Sequence, residues 1–99
     1  MKRVLLICGA GASSGFMAQA IRRAAKKEDY ELSCDARSEA QLNDFVNEID
    51  ILLIGPHLAY IKEEIMEQVS SFNIKVTVIP QEIYGLLDGK KALALIKSL

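Results

Sequence analysis

Three short stretches of the chain are almost continuously apolar: Val4-Leu5-Leu6-Ile7, Ile51-Leu52-Leu53-Ile54 and Val76-Thr77-Val78-Ile79. A strand covered on both faces reads as a run of this kind, whereas a half-exposed strand alternates. Together with a fourth segment around Leu32 and Cys34, the runs predict strands over residues 3–7, 30–35, 51–54 and 75–79. Helical spacing fills the intervals. Over residues 14–27, Met17, Ala20, Ile21 and Ala24 form an apolar stripe opposite Gln19, Arg22, Arg23 and Lys26. Ser38-Glu39-Ala40-Gln41 has the form of a capping box, with Leu42, Phe45 and Val46 following at helical spacing. Leu58, Ile61, Ile65 and Val69 predict a helix over 58–70 with Glu63, Glu64 and Glu67 on its solvated face. Asp88 is placed to cap a last helix whose Leu93, Ile96 and Leu99 cover the core.

The predicted order is β-α-β-α-β-α-β-α, which defines an α/β domain with a parallel sheet and helices on both faces. Residues 35–38 read as the irregular connection between the second strand and its helix. Winding outward in both directions from the first strand gives the strand order 2-1-3-4. In open sheets of this kind, ligands bind beyond the carboxyl ends of the strands where the winding reverses. The segment after strand 1, Cys8–Ser13, and the segment after strand 3, Gly55-Pro56-His57, are expected to border that crevice.

At 99 residues the chain has the length of one domain, taken as 1–99. Its formal net charge of -1 gives no electrostatic footprint for nucleic acid. No apolar run reaches the roughly 20 residues that span a bilayer, so no direct membrane insertion is expected. Met1-Lys2-Arg3 followed by apolar residues has the outline of a short signal peptide. The basic start lies too near Cys8 for a normal hydrophobic region, and the segment reads as a strand of a cytoplasmic protein. Cys8 and Cys34 make no disulfide framework, and no spacing of Cys and His fits a metal site.

Candidate chemistry concentrates after the first strand, in Cys8-Gly9-Ala10-Gly11-Ala12-Ser13-Ser14-Gly15. The glycines allow close backbone approach, the alanines add little bulk, and either serine can cap the next helix. Unpaired N–H groups and the positive dipole end at a helix start suit a dianion and lower the pKa of a nearby thiol. Cys8 alone reads either as a small buried apolar residue or as a nucleophile, and the loop and its switch-point position favour the nucleophile. Rival motifs fit less well. A P-loop requires lysine where Phe16 follows Gly15, and a dinucleotide fingerprint meets Ser14 at its third glycine. A phosphatase loop of the form CxxxxxR has its arginine position filled by Ser14, so a phosphate held on sulfur there lacks support for hydrolysis. Cys34 and the Glu63/Glu64/Glu67 cluster read as a core thiol and a solvated face. Tyr60 and Tyr84 read as core or rim residues.

These residues resemble the enzyme IIB component of the lactose/cellobiose (lactose–chitobiose) class of the bacterial phosphoenolpyruvate-dependent sugar phosphotransferase system. Three segments carry the resemblance: Cys8–Gly15, residues 53–60, and Tyr84-Gly85 with Asp88-Gly89. It implies a single flavodoxin-like domain with a four-stranded parallel sheet. It further implies that Cys8 accepts a phosphoryl group from a phosphohistidine on the IIA protein. The group then passes to a sugar of the cellobiose, chitobiose or lactose type, bound by the membrane component IIC. Gly9, Ala10, Gly11, Ala12, Ser13, Ser14 and Gly15 are then phosphate contacts, and no cofactor or metal is implied. The location implied is the cytoplasm, at the inner face of the membrane through IIC. His57 stands where glutamine is expected and is a candidate accessory residue. The alternative is a small flavodoxin-like anion- or nucleotide-binding regulatory module in which Cys8 does no covalent chemistry.

Overall fold

The computed structural model describes residues 1–8 and 13–99, with Cys8 and Ser13 described by their backbone alone. Strand β1 (Lys2–Cys8) is followed by helix α1 (Ser13–Lys27), strand β2 (Leu32–Ser38) and a 3₁₀ segment (Glu39–Asp44). Strand β3 (Ile51–Ile54), a second 3₁₀ segment (Pro56–Ile61) and helix α2 (Lys62–Gln68) come next. Strand β4 (Lys75–Val78), helix α3 (Gln81–Gly85) and helix α4 (Gly89–Lys97) complete the chain. The four strands form one parallel sheet in the order β2-β1-β3-β4, as the sequence predicts.

The two central strands are the two most continuous apolar runs. Val4–Ile7 and Ile51–Ile54 are buried throughout because helices cover both of their faces. α1 and α4 pack together on one face. On the other, Gln68 of α2 donates from Nε2 to Oδ1 of Asn43 at 2.7 Å, tying α2 to the first 3₁₀ segment. The stripe that α1 buries is Met17, Ala18, Ile21 and Ala25, while Ala20 and Ala24 are only half-buried and turn toward α4. At the end of α1, Tyr30 N–H reaches back to the carbonyl of Ala25 at 2.8 Å, with Asp29 at a φ of 53° closing the helix.

Residues 35–38 are not the irregular connection expected of them. They continue β2, whose pairing with β1 runs from Lys2 beside Leu32 to Cys8 beside Ser38. β2 is an edge strand, where polar side chains such as Asp35 and Ser38 can reach water, so its polarity disguises it. The start of the predicted strand, Tyr30 and Glu31, falls outside β2. The capping box does open a turn, with Ser38 N–H donating to Gln41 Oε1 at 3.3 Å, but the chain continues from it as a 3₁₀ segment and turns. Asn43, Asp44 and Asn47 are weak helix formers, and Leu42 and Val46 already reach the core from the tighter winding. Likewise the predicted 58–70 helix begins with 3₁₀ winding from Pro56 and becomes α-helical only at Lys62. Asp88 caps α4, its Oδ1 accepting from Lys91 N–H at 3.1 Å.

Candidate functional site

The carboxyl ends of β1, β2 and β3 meet at one edge of the sheet. Cys8 closes β1 and sits in register with Ser38, the last residue of β2. On its other side Ile7 pairs with Ile54, and the next residue, Gly55, donates its N–H to the carbonyl of Ile7 at 2.9 Å. The start of the segment after β3 is thereby fastened to the end of β1. β4 extends the edge, with Ile79 N–H donating to the carbonyl of Ile54 at 2.9 Å. Cys8 and Gly55 thus stand side by side where the winding reverses between β1 and β3; residues 9–12 of the expected Cys8–Ser13 border lie outside the described residues.

Of the predicted phosphate contacts, Gly9, Ala10, Gly11 and Ala12 lie outside the described residues, as do the side chains of Cys8 and Ser13. The helix they lead into begins at Ser13, so both Ser13 and Ser14 stand in its first turn. Its N-terminus opens at the carboxyl edge of the sheet, because α1 follows β1 directly. The 15 residues of α1 align their peptide dipoles with the positive end there. Gly15 is exposed in the same turn, and a Cβ on it would meet nothing within 4 Å.

His57 follows Gly55 and Pro56 in the first turn of the second 3₁₀ segment and is exposed. Its ring meets the ring of Tyr84 from α3 edge-on, with centroids 5.8 Å apart. Tyr84 is the buried residue of α3, and Tyr60 is 80% exposed, which divides the two tyrosines into core and rim. α3 itself has no counterpart among the predicted elements. It is a five-residue helix with Pro80 before its first residue, and five residues carry too little periodicity to announce a helix. Arg37 is likewise absent from the predicted site residues. Its guanidinium lies 5.2 Å from the ring centre of Phe45 and donates to the carbonyl of Ala36 at 2.8 Å, one strand position short of the end of the edge.

Cys34 is the other sulfur, and it is a core thiol as expected. It is buried in β2, and desolvation pushes its pKa up to about 12; Arg22 acts against the rise and Asp35 adds to it. A thiol in that state is not a nucleophile at neutral pH. No group of three or more potential metal ligands occurs among the described residues. No helix among them is long and apolar enough to cross a membrane.

Exposed apolar side chains stand in the segments that leave this edge. Phe16 lies in the first turn of α1, Tyr60 in the segment after β3, and Leu86 just after α3.

A parallel four-stranded sheet in the order 2-1-3-4, its winding reversed between β1 and β3, makes this a flavodoxin-like domain. The lactose-specific IIB domain of the phosphotransferase system from Streptococcus pneumoniae has the same fold, with a TM-score of 0.89, 18% identity, and coverage of 98% of this chain and 95% of that one. The chain belongs to the lactose/cellobiose-specific IIB subunit family of the phosphotransferase system (PTS), whose sequence profile matches residues 3–95. It is 32% identical over 92 residues to the oligo-beta-mannoside-specific EIIB component of Bacillus subtilis (strain 168), covering 93% of this chain and 89% of that protein. It is also 25% identical to part of the lactose-specific EIICB component of Lacticaseibacillus casei, covering 93% of this chain and 16% of that longer protein.

Proposed function

We propose that this chain carries a phosphoryl group on the sulfur of Cys8 between two other components of a sugar phosphotransferase system. The donor is a phosphohistidine on a IIA protein. The Cys8 thiolate attacks its phosphorus, the S–P bond forms as the P–N bond breaks, and the imidazole nitrogen keeps the electron pair and takes up a proton. A sugar hydroxyl then attacks the same phosphorus, the S–P bond breaks, and the thiolate leaves. The hydroxyl proton goes to solvent or to a base on the sugar-bound component. Neither step needs a metal or nucleotide on this chain. The work of the protein is to position the group and to stabilise its charge.

The observation that carries the reading is the conjunction of family membership over residues 3–95 with a cysteine closing β1, beside Gly55 and ahead of the first turn of α1. Backbone amides of the 9–12 segment and of the α1 N-terminus, with the Ser13 and Ser14 hydroxyls and the open flank of Gly15, are the phosphate ligands in this reading. His57 is an accessory donor to the phosphoryl oxygens. Phe16, Tyr60 and Leu86 supply apolar contact around the crevice for the partners, which use it in turn.

The acceptor is a β-linked disaccharide of the cellobiose, chitobiose or lactose kind, bound by IIC. The EIICB relative, in which IIB and IIC names are joined in one protein, supports IIC as the second partner. Residues 1–99 act as one domain, in the cytoplasm, reaching the inner face of the membrane through IIC.

The test is sugar phosphorylation reconstituted with IIA and IIC. Cys8→Ser is expected to lower the rate by at least about a thousandfold, because an alcohol ionises far less readily than a thiol and is a weaker nucleophile and leaving group at phosphorus. Retained turnover, or tight nucleotide binding with no covalent labelling, would instead favour a regulatory anion-binding module.

A further inference from the structure

A second feature lies away from the crevice, on the outer side of the α1–α4 pair. Ala20, Ala24 and Gly89 are apolar or small lining residues of a groove of about 460 Å³, and Arg23, Lys27 and Lys90 line it with positive charge. Glu28 is the one acid that lines it, and Glu28 is already engaged by Lys97 at 2.5 Å. Three cations therefore face the groove against one lining carboxylate, which Lys97 already pairs. The chain as a whole has a formal net charge of -1, so this charge is segregated rather than typical of the surface. About 15 Å of helix rise separates Ser13 from Arg23, which sets the groove apart from the phosphoryl crevice.

We propose that this groove is a docking site for an acidic amphipathic helix of a partner protein. The half-buried Ala20 and Ala24 give the groove an apolar floor of small side chains, and the cations match carboxylates along the same helix. A free phosphate makes no use of the apolar lining, and a flat lipid surface makes no use of a concave one. The acidic residues Glu63, Glu64 and Glu67 of a second copy lie on α2, across the sheet from the groove. A copy-to-copy contact through them would be head-to-tail and would build open chains. Occupation of the groove leaves the crevice free, so the dock raises the local concentration of a partner without blocking transfer.

The experiment titrates the isotopically labelled full chain with an acetylated, amidated peptide about four helical turns long, bearing Glu on one face and Ala and Leu on the other. Amide shifts are expected in Ala20, Arg23, Ala24, Lys27, Gly89 and Lys90. The dissociation constant should rise by about tenfold or more in the triple variant Arg23→Gln, Lys27→Gln, Lys90→Gln, and again with a peptide whose Glu are Gln. All three side chains are exposed, and an unchanged thermal midpoint verifies that the variant folds. Shifts elsewhere, equal affinity for the Gln peptide, or no binding would overturn the proposal. So would saturation of the same residues by inorganic phosphate, tighter binding to phosphatidylglycerol vesicles, or self-association that the triple variant abolishes. Cys8→Ser is expected to leave peptide binding unchanged, which separates this site from the crevice.

Discussion

The ring of His57 stands edge-on to the ring of Tyr84, with their planes inclined at 61°. Tyr84 is held in the core by α3, so the contact fixes an exposed imidazole in the segment that follows β3 against a rigid backstop. If His57 donates to the phosphoryl group, His57→Gln exchanges a ring N–H braced by Tyr84 for an amide N–H on a more flexible side chain. The expected result is a fall of about five- to tenfold in the transfer rate with an unchanged thermal midpoint. Rapid-quench transfer assays with phosphorylated IIA check this. An unchanged rate would remove His57 from the site.

Gly89 is tested through stability. A Cβ there would lie 2.1 Å from the carbonyl oxygen of Ala20 and 2.5 Å from its carbon, so the start of α4 rests on the backbone of α1. Neither backbone can yield without separating the two helices. Gly89→Ala is therefore expected to cost about 2–3 kcal/mol, read from urea unfolding, despite the higher helix propensity of alanine. A neutral or stabilising result would contradict the packing of α4 on α1.

Cys34 gives a pH dependence. Its thiol has an ordinary pKa of 9.0 when unfolded and about 12 in the folded chain. Between those values the folded chain holds the proton that the unfolded chain has lost. The stability due to the buried thiol is thus whole below pH 9.0 and is lost as pH rises toward about 12. The urea midpoint is expected to fall over that range, and less so in Cys34→Ala. In a Cys8→Ser background, a disulfide reagent near pH 8 is expected to label Cys34 only as fast as the chain opens. Fast labelling would contradict its burial.

Asp50 acts at the other end of the scale. Its Oδ2 accepts the Arg3 backbone N–H at 2.9 Å and lies 3.5 Å from Arg3 Nε. The backbone hydrogen bond is the main cause holding its carboxyl below the usual 3.8. Its contribution is present above that value and is lost as pH falls through the lower folded value. Because the pair is exposed, Asp50→Asn is expected to cost less than about 1 kcal/mol at neutral pH and to flatten the acid side of the stability profile. A steeper acid loss in the variant would reverse the sign of this argument.

The parts of the fold that can be read in the chain are those where burial alone decides. Val4–Ile7 and Ile51–Ile54 are covered on both faces, and no surface residue interrupts their apolar runs. The Asp88 cap is equally legible, because a side chain bonding a backbone N–H three residues on leaves a local signature. Residues 35–38 look like a loop because an edge strand tolerates the polar residues that also make loops. The 3₁₀ windings after Ser38 and Gly55 look like α-helix because Leu42, Val46 and Leu58 satisfy the core from either winding. At the crevice, the pairing of Cys8 with Ser38 and the bond from Gly55 to Ile7 follow once the strand order is assumed. The His57–Tyr84 contact does not, since it joins positions 57 and 84 through a short helix that leaves no period in the sequence.

The sulfur itself can be examined most directly by phosphorus NMR and intact mass after incubation with phosphorylated IIA. The expected result is the mass gain of one phosphoryl group, a phosphorus resonance characteristic of a thiophosphate ester, and the absence of both in Cys8→Ser. A phosphoryl group bound to nitrogen or oxygen, or one that survives in Cys8→Ser, would contradict it.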